Sequence, residues 1–295
     1  MDVSIVVCTH NRAASLRLTL ACLGAQVTPP HLPWEVMVVD NNSTDSTRRE
    51  IETFAASASI PVRYLFAAPE GLSRARNVGL AESQAEIVAF TDDDVDPAPD
   101  WVARIAEAMT ESRLDLLGGR IVPAWSEPPP RWLERRPYLA NALAITDHPT
   151  PALLPTRTGK PAVWGANLAV RREVFAKVGR FDPRRGLIGT KLYGGEENDL
   201  IERALAAGFR VAYDPRVLVR HRIGVDRMRV GYFSRLYFQR AEGRALWPET
   251  RRRTPVARVR QARRWRDPLR LWLKCCTTLG IASGLCKRCF ARAHG

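Results

Sequence analysis

Four short apolar runs punctuate the first third of the chain: Val3–Cys8, Trp34–Val39, Val62–Phe66 and Ile87–Phe90. Each is brief and partly β-branched, which predicts a buried strand rather than a buried helix. Helical patterns fill the gaps. Leu16, Leu18, Leu20 and Leu23 predict a helix beginning near Ser15. A second helix is expected from a Ser43 or Thr44 cap to about Ala58, and a third opens on Ser73 within Gly71–Leu80. Strands alternating with helices at this spacing predict an α/β fold, a parallel sheet covered on both faces. Ligands of such sheets bind outside the carboxyl ends of the strands. Three of the runs end there in polar residues: Thr9 to Arg12, Asp40 to Asp45, and Asp92-Asp93-Asp94.

The acidic triplet is the most demanding of these ends. Three adjacent carboxylates repel one another and resist burial, so something must compensate. A divalent cation bound with phosphate oxygens meets the need, because hard cations prefer oxygen ligands. An ordinary acidic turn, helped by Pro97 and Pro99, is the competing explanation. The chain contains neither GxGxxG nor GxxxxGK[ST], so a dinucleotide or NTPase site lacks its main signature.

Charge narrows the function classes. The net charge is +14, yet residues 251–295 hold 13 Lys and Arg against the single acid Asp267, or +12, leaving +2 for everything else. A near-neutral body argues against a nucleic-acid groove through the core. Met1-Asp2-Val3-Ser4 lacks a basic start, and no apolar run reaches spanning length, so neither a signal peptide nor a membrane span is expected. A cytoplasmic location follows, with possible association at the cytoplasmic membrane face. Six cysteines in 295 residues do not make a small disulfide scaffold. Cys286 and Cys289 have zinc-like spacing, but the adjacent pair Cys275-Cys276 does not complete a usual ligand set, so reduced cysteines on a helix are expected.

The segments Val3–Arg12, Val38–Asp45, Gly71–Gly79 and Phe90–Asp94 together resemble the successive signatures of family 2 glycosyltransferases of the GT-A fold. Further along, Gly165-Ala166-Asn167 through Arg171-Arg172 is similar to the family's G-A-N-x-x-x-R-R segment, Gly179-Arg-Phe-Asp182 to its G-x-F-D, and Gly195-Glu-Glu-Asn-Asp199 to its G-E-D-x-D. Glu197 departs from that pattern, standing where Asp is usual. Val217–His221 resembles the strand leading to a late metal-binding histidine.

The resemblance implies an inverting, metal-dependent glycosyltransferase. It would move a sugar from a nucleotide-diphospho-sugar, UDP foremost, to an acceptor hydroxyl in a single displacement. Mg²⁺ or Mn²⁺ would be held by Asp94 and His221, with Asp92 reaching the metal through water or binding the ribose. Thr9, Asn11, Arg12 and Asp40 would line the base and ribose, Asp40 accepting from the base imide. Arg76 and Asn77 would lie near the base or phosphates, although Arg76 equally suits an ion pair with Asp40 or Asp45. Asp93 belongs to the same nucleotide-side cluster, with a structural role the simpler expectation. Trp164, Gly165, Ala166 and Asn167 would wall the sugar and acceptor pocket, with packing an alternative for all but Asn167. Either Glu197 or Glu196 would be the general base, Glu197 preferred; Asp199 and Arg203 suit an i,i+4 pair.

Residues 1–250 are read as the catalytic domain, its nucleotide half about 1–120 and its acceptor half about 121–250. The proline-rich stretch Pro123–Pro161 is expected to be irregular and to cover the cleft. Residues 251–295 form a basic, helical tail. Tryptophans and arginines there suit an anionic membrane surface; a helical pair packed on the body is the alternative. The acceptor is expected to be a carbohydrate or a lipid-linked species, and no nucleic-acid partner is expected. A catalytically inactive nucleotide-sugar-binding or scaffold protein is the other class left open by Glu197. A sugar-phosphate nucleotidylyltransferase would want a basic, glycine-rich loop after the first strand, which Thr9-His-Asn-Arg12 is not.

Overall fold

A computed structural model describes residues 2–154, 162–247 and 267–294. The first part of the chain is a run of β1 (Val3–Thr9), α1 (Ala13–Gly24), β2 (Trp34–Asp40), α2 (Thr47–Ser57), β3 (Val62–Phe66), α3 (Leu72–Glu82) and β4 (Ile87–Asp92). Strands β1 to β4 pair in parallel in the order β3-β2-β1-β4. Every residue of β1 and β2 is buried, as mostly apolar runs in a two-sided sheet should be, and the two polar residues inside them, Ser4 and Glu35, bond each other at 2.7 Å.

The sheet then becomes mixed. After β5 (Val95–Pro97) and α4 (Trp101–Glu111) come β6 (Leu116–Trp125), the single turn α5 (Arg131–Glu134), a 3₁₀ segment Pro137–Leu143, β7 (Ala152–Leu154), β8 (Asn167–Arg171), α6 (Arg172–Val178), β9 (Gly186–Ile188), β10 (Lys191–Gly194), α7 (Glu196–Ala206) and β11 (Val211–Ile223). β8 wedges antiparallel between β4 and β6, β6 pairs in parallel with β11, and β5 and β7 close antiparallel onto β11. A 3₁₀ turn Val225–Met228 leads into α8 (Val230–Leu246), and α9 (Pro268–His294) packs along α8. The α/β expectation and the helical end of the chain are both observed, with α9 a single long helix.

Register explains why distant residues meet. Thr9 pairs with Asp40 and Cys8 with Asp92, so three chain segments finish on one sheet edge. His221 of β11 pairs with Val95, which sets it beside Asp94.

Several local expectations shift. Neither Ser43 nor Thr44 caps α2; the helix begins at Thr47, whose N–H and hydroxyl both donate to Asp45 Oδ1. The described part of 123–161 is packed rather than loose: Leu133, Leu139 and Leu143 are buried with Ile223, Phe233 and Leu273. Residues 155–161 and 248–266, including the tail residues Val256, Val259 and Trp265, lie outside the described residues. Among the described residues no helix is long and apolar enough to cross a membrane.

Asn167 is the clearest correction. It was expected to face the acceptor, but at 1% exposure it is a core amide. Its Oδ1 accepts from the Trp101 indole at 2.9 Å, and its Nδ2 donates to Arg120 O at 3.0 Å and Val217 O at 2.9 Å. The amide thus buckles α4, β6 and β11 together. Asn167→Leu is expected to leave three buried polar groups unmet and to lower the unfolding free energy by about 3 kcal/mol or more. A urea titration checks this; an unchanged midpoint would sink the buckle role.

Candidate active site

The strand ends, α7 and α8 enclose a cleft of about 790 Å³, within the size range of pockets that take small ligands. Its floor is the acidic triplet. Asp93 is fully engaged: Thr9 Oγ1 donates to Oδ2 at 2.7 Å and Arg12 Nη1 to Oδ1 at 3.1 Å. Burial pushes its pKa up to about 6 against the pull of Arg12. Asp94 Oδ2 takes Arg12 Nη1 at 2.7 Å and Arg227 Nη2 at 2.8 Å. Burial opposes the Asp94 charge, but His221, Arg227 and Arg12 outweigh it and hold the pKa well below the usual carboxylate range.

His221 is oriented from behind. Its Nδ1 donates to Leu143 O at 3.0 Å, which turns the Nε2 lone pair towards the cleft. That nitrogen lies 3.6 Å from Asp94 Oδ1 and accepts from Arg227 Nη1 at 2.9 Å. Asp94 and His221 offer one oxygen and one nitrogen 3.6 Å apart, donor types that divalent cations use. No set of three His, Cys, Asp or Glu side chains among the described residues converges as a metal cage. Asp92, expected as a third contributor, instead accepts from Arg76 Nη2 at 3.3 Å.

Arg76 organises the opposite wall. It is 2% exposed and donates Nη1 to Glu196 Oε1 at 2.9 Å. Its ion pairs are therefore with Glu196 and Asp92, not with Asp40 or Asp45. It also explains Gly165: a Cβ there would lie 2.2 Å from Arg76 Nη2. Gly165 and Ala166 line the cleft, as does Trp164, whose indole N–H donates to Thr146 Oγ1 at 3.1 Å. The Arg240 guanidinium stands 5.6 Å from the Trp164 ring centre.

Helix α7 opens on Gly195, φ +88°, and puts Glu196 and Glu197 into the cleft at once. The two acids differ in partnership. Glu196 is held by Arg76 through Oε1, while its Oε2 is buried with no hydrogen-bond partner. Glu197 Oε2 is buried with no hydrogen-bond partner. Burial, then the neighbouring Glu196, raises the Glu197 pKa to about 8. Asp199 and Arg203 pair at 2.8 Å, and Arg203 ties the helix to Gly179 O and Arg180 O.

Three expected nucleotide contacts lie elsewhere. Asn11 is outside the cleft lining; its Oδ1 accepts from Thr44 N at 2.7 Å and fixes the loop after β2. Asp40 is spent on Ser43 N at 2.8 Å and the Tyr64 hydroxyl at 3.2 Å. The next residue, Asn41, lines the cleft in its place, bridging Gly71 N and Ala67 O. Asn77 pairs with both backbone groups of Phe181, stitching α3 to the segment before β9. Thr9 and Arg12 do line the cleft.

Sequence reading missed Asn41, Arg227 and the α8 face that carries Tyr232, Arg235 and Arg240 into the cleft. Asn41 had a signal, being the first residue past the end of β2. Arg227 had none, because its approach depends on the 3₁₀ turn after β11.

Residues 4–179 match the family model described as Glycosyl transferase family 2. The chain is 25% identical over 248 residues to the succinoglycan biosynthesis protein ExoM of Rhizobium meliloti, covering 83% of this chain and 75% of that one. It is 26% identical over 231 residues to the glucosyl-dolichyl phosphate glucuronosyltransferase of Haloferax volcanii, covering 76% and 70% respectively. Among solved structures, the mannosyltransferase PcManGT of Pyrobaculum calidifontis, in complex with GDP-Man and Mn²⁺, superposes with a TM-score of 0.63 at 19% identity, covering 99% of this chain and 75% of that one.

Proposed function

Because the chain belongs to glycosyl transferase family 2, we propose that it transfers a sugar from a nucleotide-diphospho-sugar, UDP foremost, to an acceptor hydroxyl with inversion in one displacement. The observation that carries this reading is the shared cleft: a buried Glu197 carboxyl, its Oε2 without a hydrogen-bond partner, and the Asp94–His221 pair face the same space. Glu197 takes the acceptor proton, and its raised pKa makes it a stronger base than an exposed carboxylate. Asp94 and His221 would hold Mg²⁺ or Mn²⁺, which would supply charge neutralisation for the departing diphosphate. Arg12 and Arg227, already paired with Asp94, add positive charge beside the same oxygens. Thr9, Asn41 and Asp92 flank the nucleoside. Asp93 holds Thr9 and Arg12 in place.

The acceptor enters along α8. Tyr232 and Trp164 offer aromatic faces for a sugar, and Arg235 and Arg240 favour an acceptor carrying negative charge, as a lipid-linked phosphate would. The named activity of the Haloferax volcanii relative, on a dolichyl phosphate, supports this choice. The cytoplasmic side, where nucleotide-sugars are made available, is the proposed place of action.

Thermal unfolding with Mn²⁺ and a panel of UDP-, GDP- and dTDP-sugars tests the donor. A donor at a hundred times its Kd adds about 2.7 kcal/mol, expected as a rise of roughly 5–10 °C. A GDP-sugar giving the largest rise would replace uridine; no rise with any donor would remove the transferase reading.

A further inference from the structure

We propose that the outward face of α9 is a docking surface for a bilayer containing anionic lipid. The inward face is settled by packing. Leu273 and Cys276 are buried, and a Cβ at Gly280 or Gly284 would meet Phe238 O at 2.1 Å or Glu242 O at 2.5 Å. Both ends are fastened to the body. Arg136 and the Tyr138 hydroxyl each donate to Asp267 at 2.8 Å, and Ser283 and Lys287 each donate to the buried Glu242 at 2.7 Å. With one face fixed, the other is committed to the outside.

That outside face is apolar. At 100° per residue, Leu271, Cys275, Leu279, Ala282 and Leu285 fall opposite the Gly280–Leu273 side. Five of the twelve large apolar side chains exposed among the described residues are on this helix: Leu271, Trp272, Leu279, Ile281 and Leu285, with Leu279 60% exposed and Trp272 54%. The Trp272 indole N–H donates to Ser234 Oγ at 2.8 Å, which secures its polar edge to α8 while the ring remains outside.

Charge selects the occupant. No Asp or Glu follows Asp267, and residues 251–266 contain eight arginines and no acid. An apolar helical face set in a one-signed basic segment matches a surface that is both apolar and anionic, as the interface of a charged bilayer is. A second copy of the chain does not match, since it would bring two tails of +12 together. At 27 residues, but with no span apolar enough to cross, α9 lies along such a surface. Its partner α8 lines the cleft, so docking would set the basic acceptor side of the cleft close to the lipid surface. The inference stands on the helix face and does not need the transfer chemistry.

The test is sedimentation of the full chain with phosphatidylcholine vesicles, with and without about 30% phosphatidylglycerol. Partitioning into the anionic vesicles is expected to be at least about tenfold stronger and to weaken in about 0.5 M salt. The variant L279E/L285E is expected to lose about tenfold or more of that partitioning, while keeping its melting temperature and its nucleotide-induced thermal shift. Equal partitioning of the variant and the unaltered chain would overturn the proposal, as would equal binding to both vesicles. A dimer in size exclusion that the variant converts to monomer would also overturn it, by giving the face to a second copy.

Discussion

Glu197→Gln is expected to lower kcat by about 10³-fold while donor binding stays within about twofold. Glutamine keeps the shape of the side chain and removes only its ability to take a proton. Glu197 Oε2 has no hydrogen-bond partner, so below about pH 8, where the carboxyl is protonated, the fold should change little. The neighbouring acid separates the two roles. Glu196 Oε1 takes the buried Arg76 guanidinium at 2.9 Å. Glu196→Gln therefore weakens a buried ion pair, and its first effect should be on stability, of order 3 kcal/mol. Steady-state kinetics beside thermal melts distinguish them. If Glu197→Gln turned over at the unaltered rate and Glu196→Gln did not, the base would be Glu196.

The same substitution has a pH signature. Below about pH 8 the Glu197 carboxyl is protonated, so kcat/KM should rise about tenfold per pH unit towards that value and then level. Stability runs the other way. The folded pKa of about 8 lies above the group's ordinary value of 4.5, so between these values the folded state binds a proton that the unfolded state has released. Stability from this group is full below about 4.5 and is lost as pH rises through about 8. Glu197→Gln should flatten that slope and melt higher than the unaltered chain above pH 8, an activity loss accompanied by a stability gain.

What was legible from the amino acids follows one physical line. The β1, β2 and β4 runs are mostly apolar because both sheet faces are covered, with Ser4 and Glu35 satisfying each other inside the sheet, and their polar endings mark the binding edge. Residues at that edge, such as Thr9, Arg12 and the acidic triplet, do line the cleft. Errors arose where one backbone step or a distant segment decides. Asp40 and Asn41 are adjacent at the end of β2, yet Asp40 turns to Ser43 and Tyr64 and only Asn41 lines the cleft. Asn167 bonds groups 47, 50 and 66 positions away, so nothing local announces a core amide. Arg76 and Glu196 lie 120 positions apart, and only the fold shows which of two successive glutamates takes the guanidinium. Arg227 becomes part of the site only because a 3₁₀ turn returns the chain from β11 towards Asp94.

Asp94→Ala carries the second large effect, an expected loss of about 10³-fold in transfer, or about 4 kcal/mol of barrier. Three groups address this carboxylate: Arg12 at 2.7 Å, Arg227 at 2.8 Å and His221 at 3.6 Å. Removing it deletes one of two proposed metal donors and leaves two guanidiniums without their shared partner. Activity alone would not separate these losses, so Mn²⁺ binding by the nucleotide-free protein is the second readout. Asp94→Ala should weaken it at least about tenfold. Asp93→Asn is the control, because the Asp93 oxygens are taken by Thr9 and Arg12. It should lower the melting temperature while leaving Mn²⁺ affinity within about twofold. Mn²⁺ binding that survives Asp94→Ala but fails in Asp93→Asn would move the metal to the other carboxylate and overturn the assignment of Asp94 and His221.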